Sequence, residues 1–162
     1  MKLKVWSIFA MLCIALPAFV SCGDDDDEDP VNISDVTGTY SGTLQATVMN
    51  IDCPMEGEYQ LVVVPQKGDN DEVTVILPEC TFSTPQMPGA QLIPAVTVPD
   101  VDVDAYGNSY TIEEDDFMVV SDGVTYTGSI KGTITGKVAN ITYRMNPGKM
   151  PMQINFTFNG TK

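Results

Sequence analysis

The chain predicts an all-β, antiparallel fold of about eight strands, close to the number that closes a small barrel around a filled interior or one small ligand. Three observations carry this expectation. Apolar and polar residues alternate with period two over long stretches. The breaks between those stretches are rich in Gly, Pro, Asn and Asp. No stretch after residue 30 shows sustained helical periodicity with caps.

The first strand is read over Gly38–Val48. Tyr40, Leu44, Ala46 and Val48, with Gly38 and Gly42, share one face, and Thr39, Ser41, Thr43, Gln45 and Thr47 share the other. That pattern buries one side of a sheet and wets the other. Next come Glu58–Val64, Glu72–Leu77, Leu92–Val103 and Ser109–Val119. From Val124 to Gly136, Val124, Tyr126, Ile130 and Ile134 line up with Gly128, Gly132 and Gly136, against a Thr, Ser and Lys face. Lys137–Met145 follows, and Met152, Ile154, Phe156 and Phe158 alternate with Gln153, Asn155, Thr157 and Asn159. The turn signals are KGDND at 67–71, TPQMPG at 84–89, AYGN at 105–108, SDG at 121–123 and NPG at 146–148. Glycine weakens a strand interior, so glycines on an inward face need a reason. Small residues beside large ones let a curved sheet bend and facing side chains interdigitate. Packing is preferred over ligand approach for these glycines, and Tyr40, Tyr126 and Phe156 are read as core.

The N-terminus reads as an address. Lys2 and Lys4 precede an apolar run from about Val5 to Val20, the pattern of a cleaved signal peptide. The run is short for a membrane span, contains Pro17 and meets six acids at 24–29. The segment FVSC at 19–22 resembles the lipobox of bacterial lipoproteins, with Phe19 in place of the usual Leu. That resemblance implies Cys22 as a diacylglycerol- and palmitate-bearing residue at the start of the processed chain. Stable attachment needs two or more acyl chains. The acids behind Cys22 resemble the surface-export signal of Bacteroidetes lipoproteins, and they also suit a self-repelling spacer. The expected division is a signal peptide at 1–21, a lipidated cysteine and acidic tether at 22–35, and one barrel domain at 36–162.

The body carries a family resemblance as well. VTGTYSGTL at 36–44, IPAVTVPDVDV at 93–103 and YTGSIKGTITGKV at 126–138 resemble the calycin-like barrel domain of Bacteroidetes surface lipoproteins. The resemblance implies a closed or nearly closed barrel of lipocalin-like shape. It transfers no catalytic or ligand residue.

Charge limits the partners. The chain has 22 acids against eight bases, a net charge of −14. Without Lys2 and Lys4 the charge is −16, and the body from Pro30 onward carries −10. Such a surface repels nucleic acid and anionic headgroups. The expected attachment to membrane is therefore through the lipid anchor. Cys53 and Cys80 are the candidate disulfide pair, as thiols outside the cytoplasm oxidise when geometry allows. Two separately placed free cysteines are the alternative.

The chemistry of a catalyst is sparse. There is no histidine, which excludes a Ser-His-Asp triad. With Cys53 and Cys80 also far apart in sequence, no conventional zinc cluster is visible. Asp100, Asp102 and Asp104 resemble part of a calcium loop. The place an EF-hand reserves for Gly holds Ala105, however, and the closing acid position holds Thr111. Two-residue spacing in a strand puts the three carboxylates on one wet face. A cation site is retained only if Glu113–Asp116 converges on them. Cys53 has no adjacent positive charge to activate it.

The sequence thus points to a non-enzymatic lipoprotein of the outer membrane, exposed at the cell surface, with no cofactor, no catalytic residues and no metal. Its barrel is expected to be a binding or a structural module, with a glycan, a small apolar ligand or an envelope protein as the candidate partners. The alternatives are a carboxylate-based glycan hydrolase and a structural accessory subunit of an outer-membrane complex.

Overall fold

The computed structural model describes residues 31–84, 87–148 and 152–162. The signal peptide, Cys22 and the acidic run at 24–29 lie outside the described residues. The elements in order are α1 (Ile33–Val36), β1 (Gly38–Val48), β2 (Ile51–Cys53), β3 (Tyr59–Pro65), β4 (Glu72–Leu77), β5 (Cys80–Thr84) and β6 (Met87–Ile93). They continue as β7 (Val96–Tyr106), β8 (Ser109–Ser121), β9 (Val124–Thr135), β10 (Val138–Pro147) and β11 (Ile154–Thr161).

Eight strands form an antiparallel barrel in the order β1, β3, β4, β7, β8, β9, β10, β11, and β11 pairs back onto β1 to close it. The alternation read from the sequence sets the inside. Tyr40, Leu44, Ala46 and Val48 of β1 are buried, as are Ile154, Phe156 and Phe158 of β11. One-residue slips would turn these apolar faces to water, so the register is strongly specified. Burying side chains of this size stabilises the fold by roughly 1.5–3 kcal/mol each. Tyr143 stacks on Phe156 at 4.7 Å, deep in the barrel. Burial pushes the Tyr143 hydroxyl pKa well above its usual value.

Three strands were not expected, and their positions explain why. β2 is a three-residue return that pairs with the end of β1. β5 and β6 form a separate two-stranded sheet between β4 and β7. The stretch Leu92–Val103, read as one strand, is split at Pro94–Ala95: its first two residues belong to β6 and the rest to β7. The TPQMPG turn is narrower than expected, as Met87–Gly89 already lies in β6. Val124 was assigned to the inner face, but it is 38 % exposed because it sits at the tip of the β8–β9 hairpin, beyond the barrel wall.

Glycines 42 and 128 answer the question posed by the sequence. A Cβ on Gly42 would stand 2.0 Å from the Asn159 carbonyl oxygen, and one on Gly128 would stand 1.8 Å from that of Arg144. Neighbouring strands come so close there that a side chain has no room. The requirement is close packing of the wall.

The two ends differ. One end gathers the turns at 66–71, 107–108 and 136–137, the C-terminus and α1. We call it the α1 end. Val36 of α1 is fully buried, and the buried Tyr40 hydroxyl donates to its carbonyl oxygen at 2.7 Å. Burial pushes the Tyr40 pKa up to about 12. At the opposite end lie β2 and the β5–β6 hairpin, and β2 touches β5.

Candidate functional site

The interior of the barrel is filled. Tyr40, Leu61, Ile112, Ile130, Ile134, Ile141, Phe156 and Phe158 are each no more than 1 % exposed. The outer wall is polar, with Thr, Asn and Gln on the alternate positions of β1, β10 and β11. An apolar inside and a polar outside is the reverse of a membrane-spanning barrel with an aqueous lumen. Among the described residues no helix is long and apolar enough to cross a membrane.

The largest described cleft is therefore at a rim. A pocket of about 690 Å³ opens at the α1 end, lined by Ser34, Asp35, Gly107, Asn108, Tyr110, Thr135, Gly136, Lys137 and Lys162. Four chain segments supply it: α1, the β7–β8 turn, the β9–β10 turn and the C-terminus. Gly107 and Gly136 have φ of +60° and +59°, the left-handed conformation that makes both turns tight. The tight turns bring Asn108 and Lys137 to the mouth.

Hydrogen bonds hold the walls. Tyr110 Oη donates to Asp35 Oδ2 at 3.0 Å. Ser109 and Thr135 share a hydroxyl contact of 2.7 Å across β8 and β9. Lys162 Nζ donates to the carbonyl oxygens of Asp35 at 2.7 Å and Thr37 at 2.9 Å. The same ammonium lies 5.4 Å from the centre of the Tyr40 ring, within cation–π range. The C-terminal lysine thus fastens α1 to the barrel. The cleft presents hydroxyls, an amide, a carboxylate and two ammonium groups in a chain that is otherwise strongly acidic.

The predicted site residues fall elsewhere. Asp102 and Asp104 point outward from β7 while Val101 and Val103 are buried, as two-residue spacing requires. Asp102 stands opposite both Glu72 of β4 and Glu113 of β8. Glu113 in turn pairs with Lys131 of β9. Of the three β7 acids only Asp102 is set against Glu113, and Asp104 faces Thr111. The group at the end of the row is an ammonium: Lys131 binds Glu113 and reaches Asp115 at 3.3 Å. These two hydrogen-bonded carboxylates raise the Lys131 pKa. At the other end, desolvation and then Asp69, Asp100, Asp102 and Asp71 raise the Glu72 carboxyl pKa. Among the described residues no group of three or more His, Cys, Asp or Glu is arranged to hold a metal ion.

Cys53 and Cys80 are free, buried thiols, so the expected bridge is not formed in this structure. They stand on different sheets, Cys53 in β2 and Cys80 in β5. The Cys53 sulfur is directed at the Ile51 carbonyl at 3.6 Å. Burial raises the Cys80 thiol pKa to about 12, which favours the protonated thiol at neutral pH.

Asp35, Asn108, Tyr110, Lys137 and Lys162 were not legible as a site. The AYGN turn at 105–108 and the glycine at 136 marked where the chain reverses. No spacing rule links them to α1 or the last residue.

The calycin-like beta-barrel domain family matches residues 36–161 of the chain. Among solved structures, a crystal structure of a protein from Bacteroides fragilis, provisionally described as an outer membrane protein, superposes with a TM-score of 0.66 at 24 % sequence identity. The match covers 80 % of this chain and 52 % of that one, so this chain spans about half the length of the protein it resembles. A search of curated proteins finds no match.

Proposed function

The chain belongs to the calycin-like beta-barrel domain family, and from that premise we propose that it is a non-enzymatic lipoprotein of the outer membrane whose barrel binds a glycan at its α1-end rim. One observation carries the binding reading: the barrel is packed full while a polar cleft of about 690 Å³ opens at the rim. A filled core leaves no chamber for an apolar ligand. The rim offers Ser34, Asn108, Tyr110 and Thr135 for sugar hydroxyls, with Lys137 and Lys162 suiting a carboxylated sugar.

Attachment through an acylated Cys22 agrees with the polar outer wall, which among the described residues has no apolar band to hold it in a bilayer. The acidic run behind Cys22 would export and space the domain. Likeness to the Bacteroides fragilis protein supports an envelope location. Oxidation of Cys53 and Cys80 outside the cytoplasm would staple β2 to β5. Thiol titration of the denatured protein distinguishes a bridge from two free thiols.

The test of the binding reading is a glycan array probed with the full chain, followed by calorimetry on the best class. Asn108→Ala with Lys137→Ala should weaken binding by about tenfold or more while leaving thermal unfolding unchanged. Retention of no glycan, or equal binding by the double variant, would remove the rim from consideration. Cys22→Ser in the native cell should release the protein from the envelope.

A further inference from the structure

We propose that a hollow on the outer wall of β8, β9 and β10 binds a free polar α-amino acid, its carboxylate on Arg144 and its ammonium on Asp116. This site shares no residue with the rim cleft.

A bulge builds the site. Glu114 of β8 stands opposite Ile130 of β9 and Phe117 opposite Gly128, so Asp115 and Asp116 together oppose the single Ser129. Such a bulge re-aims the side chains it carries. On its other side Ser129 pairs with Arg144 of β10. Two carboxylates, a hydroxyl and a guanidinium therefore stand in one row across three strands. Strands lie about 4.8 Å apart, so the backbones of Asp116 and Arg144 are separated by roughly 10 Å. A hollow of about 300 Å³ lies over the row, with Asp115, Asp116, Thr127, Ser129, Arg144 and Asn146 in its walls.

The charges in the hollow are unequally committed. Asp115 lies 3.3 Å from Lys131. The Asp116 N–H donates to the Glu114 side chain at 2.9 Å, which fixes the backbone there. The Asp116 carboxylate has no hydrogen-bond or ion-pair partner among the described residues. Arg144 is the one arginine of the chain. Its Nε donates to Ser129 Oγ at 3.0 Å, and Ser129 is only 5 % exposed. That buried hydroxyl orients the guanidinium and leaves both Nη groups without a partner among the described residues. Arg144 and Asp116 border the same hollow and form no ion pair with each other.

The row thus offers one unspent positive and one unspent negative charge. The planar guanidinium fork suits a carboxylate held at two points. A simple anion would meet Arg144 and be repelled by Asp116, and a simple cation would meet the reverse. A molecule with a carboxylate and an ammonium on one carbon satisfies both. The remaining space has the Thr127 hydroxyl and the Asn146 amide for a polar side chain.

The probe is L-glutamine, added to the full chain in detergent and followed by calorimetry and by amide chemical shifts. Expected are saturable binding and shifts at Asp116, Ser129 and Arg144. N-acetylglutamine lacks the ammonium and glutaminamide lacks the carboxylate, so each should bind about tenfold more weakly or worse. Arg144→Lys keeps the charge and loses the fork, and should also weaken binding by about tenfold. Asp116→Asn should do the same. Both positions are exposed, so thermal unfolding should stay unchanged. Lys137→Ala at the rim should leave glutamine binding intact, which separates this site from the glycan reading. Absence of saturable binding would overturn the proposal. So would equal binding of either blocked form, equal binding by either hollow variant, or shifts confined to the rim.

Discussion

The barrel wall has two contrasting joints. Between β1 and β11 eight consecutive pairs run from Ser41↔Thr161 to Val48↔Ile154. Between β7 and β8 only five pairs form. The first joint sets Leu44 against Phe158 and Ala46 against Phe156 inside, and Thr43 against Asn159 and Gln45 against Thr157 outside. Apolar pairs are buried, neutral polar pairs are wet, and Gly42 faces Gly160 where the backbones crowd. The second joint meets a proline, a left-handed aspartate, a bulge and facing carboxylates. Closure of a barrel thus depends on the worst pair along each edge, because a ladder needs every donor and tolerates few like charges.

Breaking the closed joint gives the largest expected effect. Gly42→Val places side-chain carbon against the Asn159 carbonyl and should cost about 3 kcal/mol or more. Thermal denaturation followed by circular dichroism should show a melting temperature lower by roughly 10 °C. Tyr40→Phe keeps the packing and removes the bond to Val36, so denaturant unfolding should register a loss of about 1 kcal/mol. A smaller change should improve the β7–β8 joint. Asp100→Asn retains an oxygen for Gln66, whose amide donates to Asp100 Oδ1 at 2.6 Å, and suits the left-handed backbone. Loss of one like charge should stabilise the fold by a few tenths, about 0.3 kcal/mol. No gain would mean that the acids are not what shortens the ladder.

Glu72 gives the weakest and most pH-dependent effect. Its folded pKa is raised, so protonation favours the folded state. Its favourable contribution is full below the usual carboxyl value of 4.5 and is lost as pH rises through the higher folded value. Glu72→Gln should therefore stabilise the protein at pH 7, with the advantage fading as pH falls through the raised folded value and gone below 4.5. Urea melts at several pH values check the sign. An advantage that persisted unchanged in acid would remove the repulsion argument.

Much of the wall was legible. Glu72–Leu77 appears with its expected ends, and Tyr40, Tyr126 and Phe156 are core as read. The reason is local: alternation records which face of a strand is buried, whatever its neighbours are. The run at 92–103 was misread because β6 and β7 are both rich in strand formers, and only their partners differ. The rim cleft was illegible because Asp35, Asn108, Lys137 and Lys162 meet through closure of the barrel.

Alone, the amino-acid order determined that this chain is antiparallel β, that its inner face is aromatic and aliphatic, and that histidine-based catalysis is absent. Period two and composition carry that information within each segment. Tertiary structure decided which strands join, where the β7–β8 ladder stops, and which turns share a rim. Those outcomes depend on contacts between residues as distant as Asp35 and Lys162, whose meeting is set by register and curvature accumulated around the whole barrel.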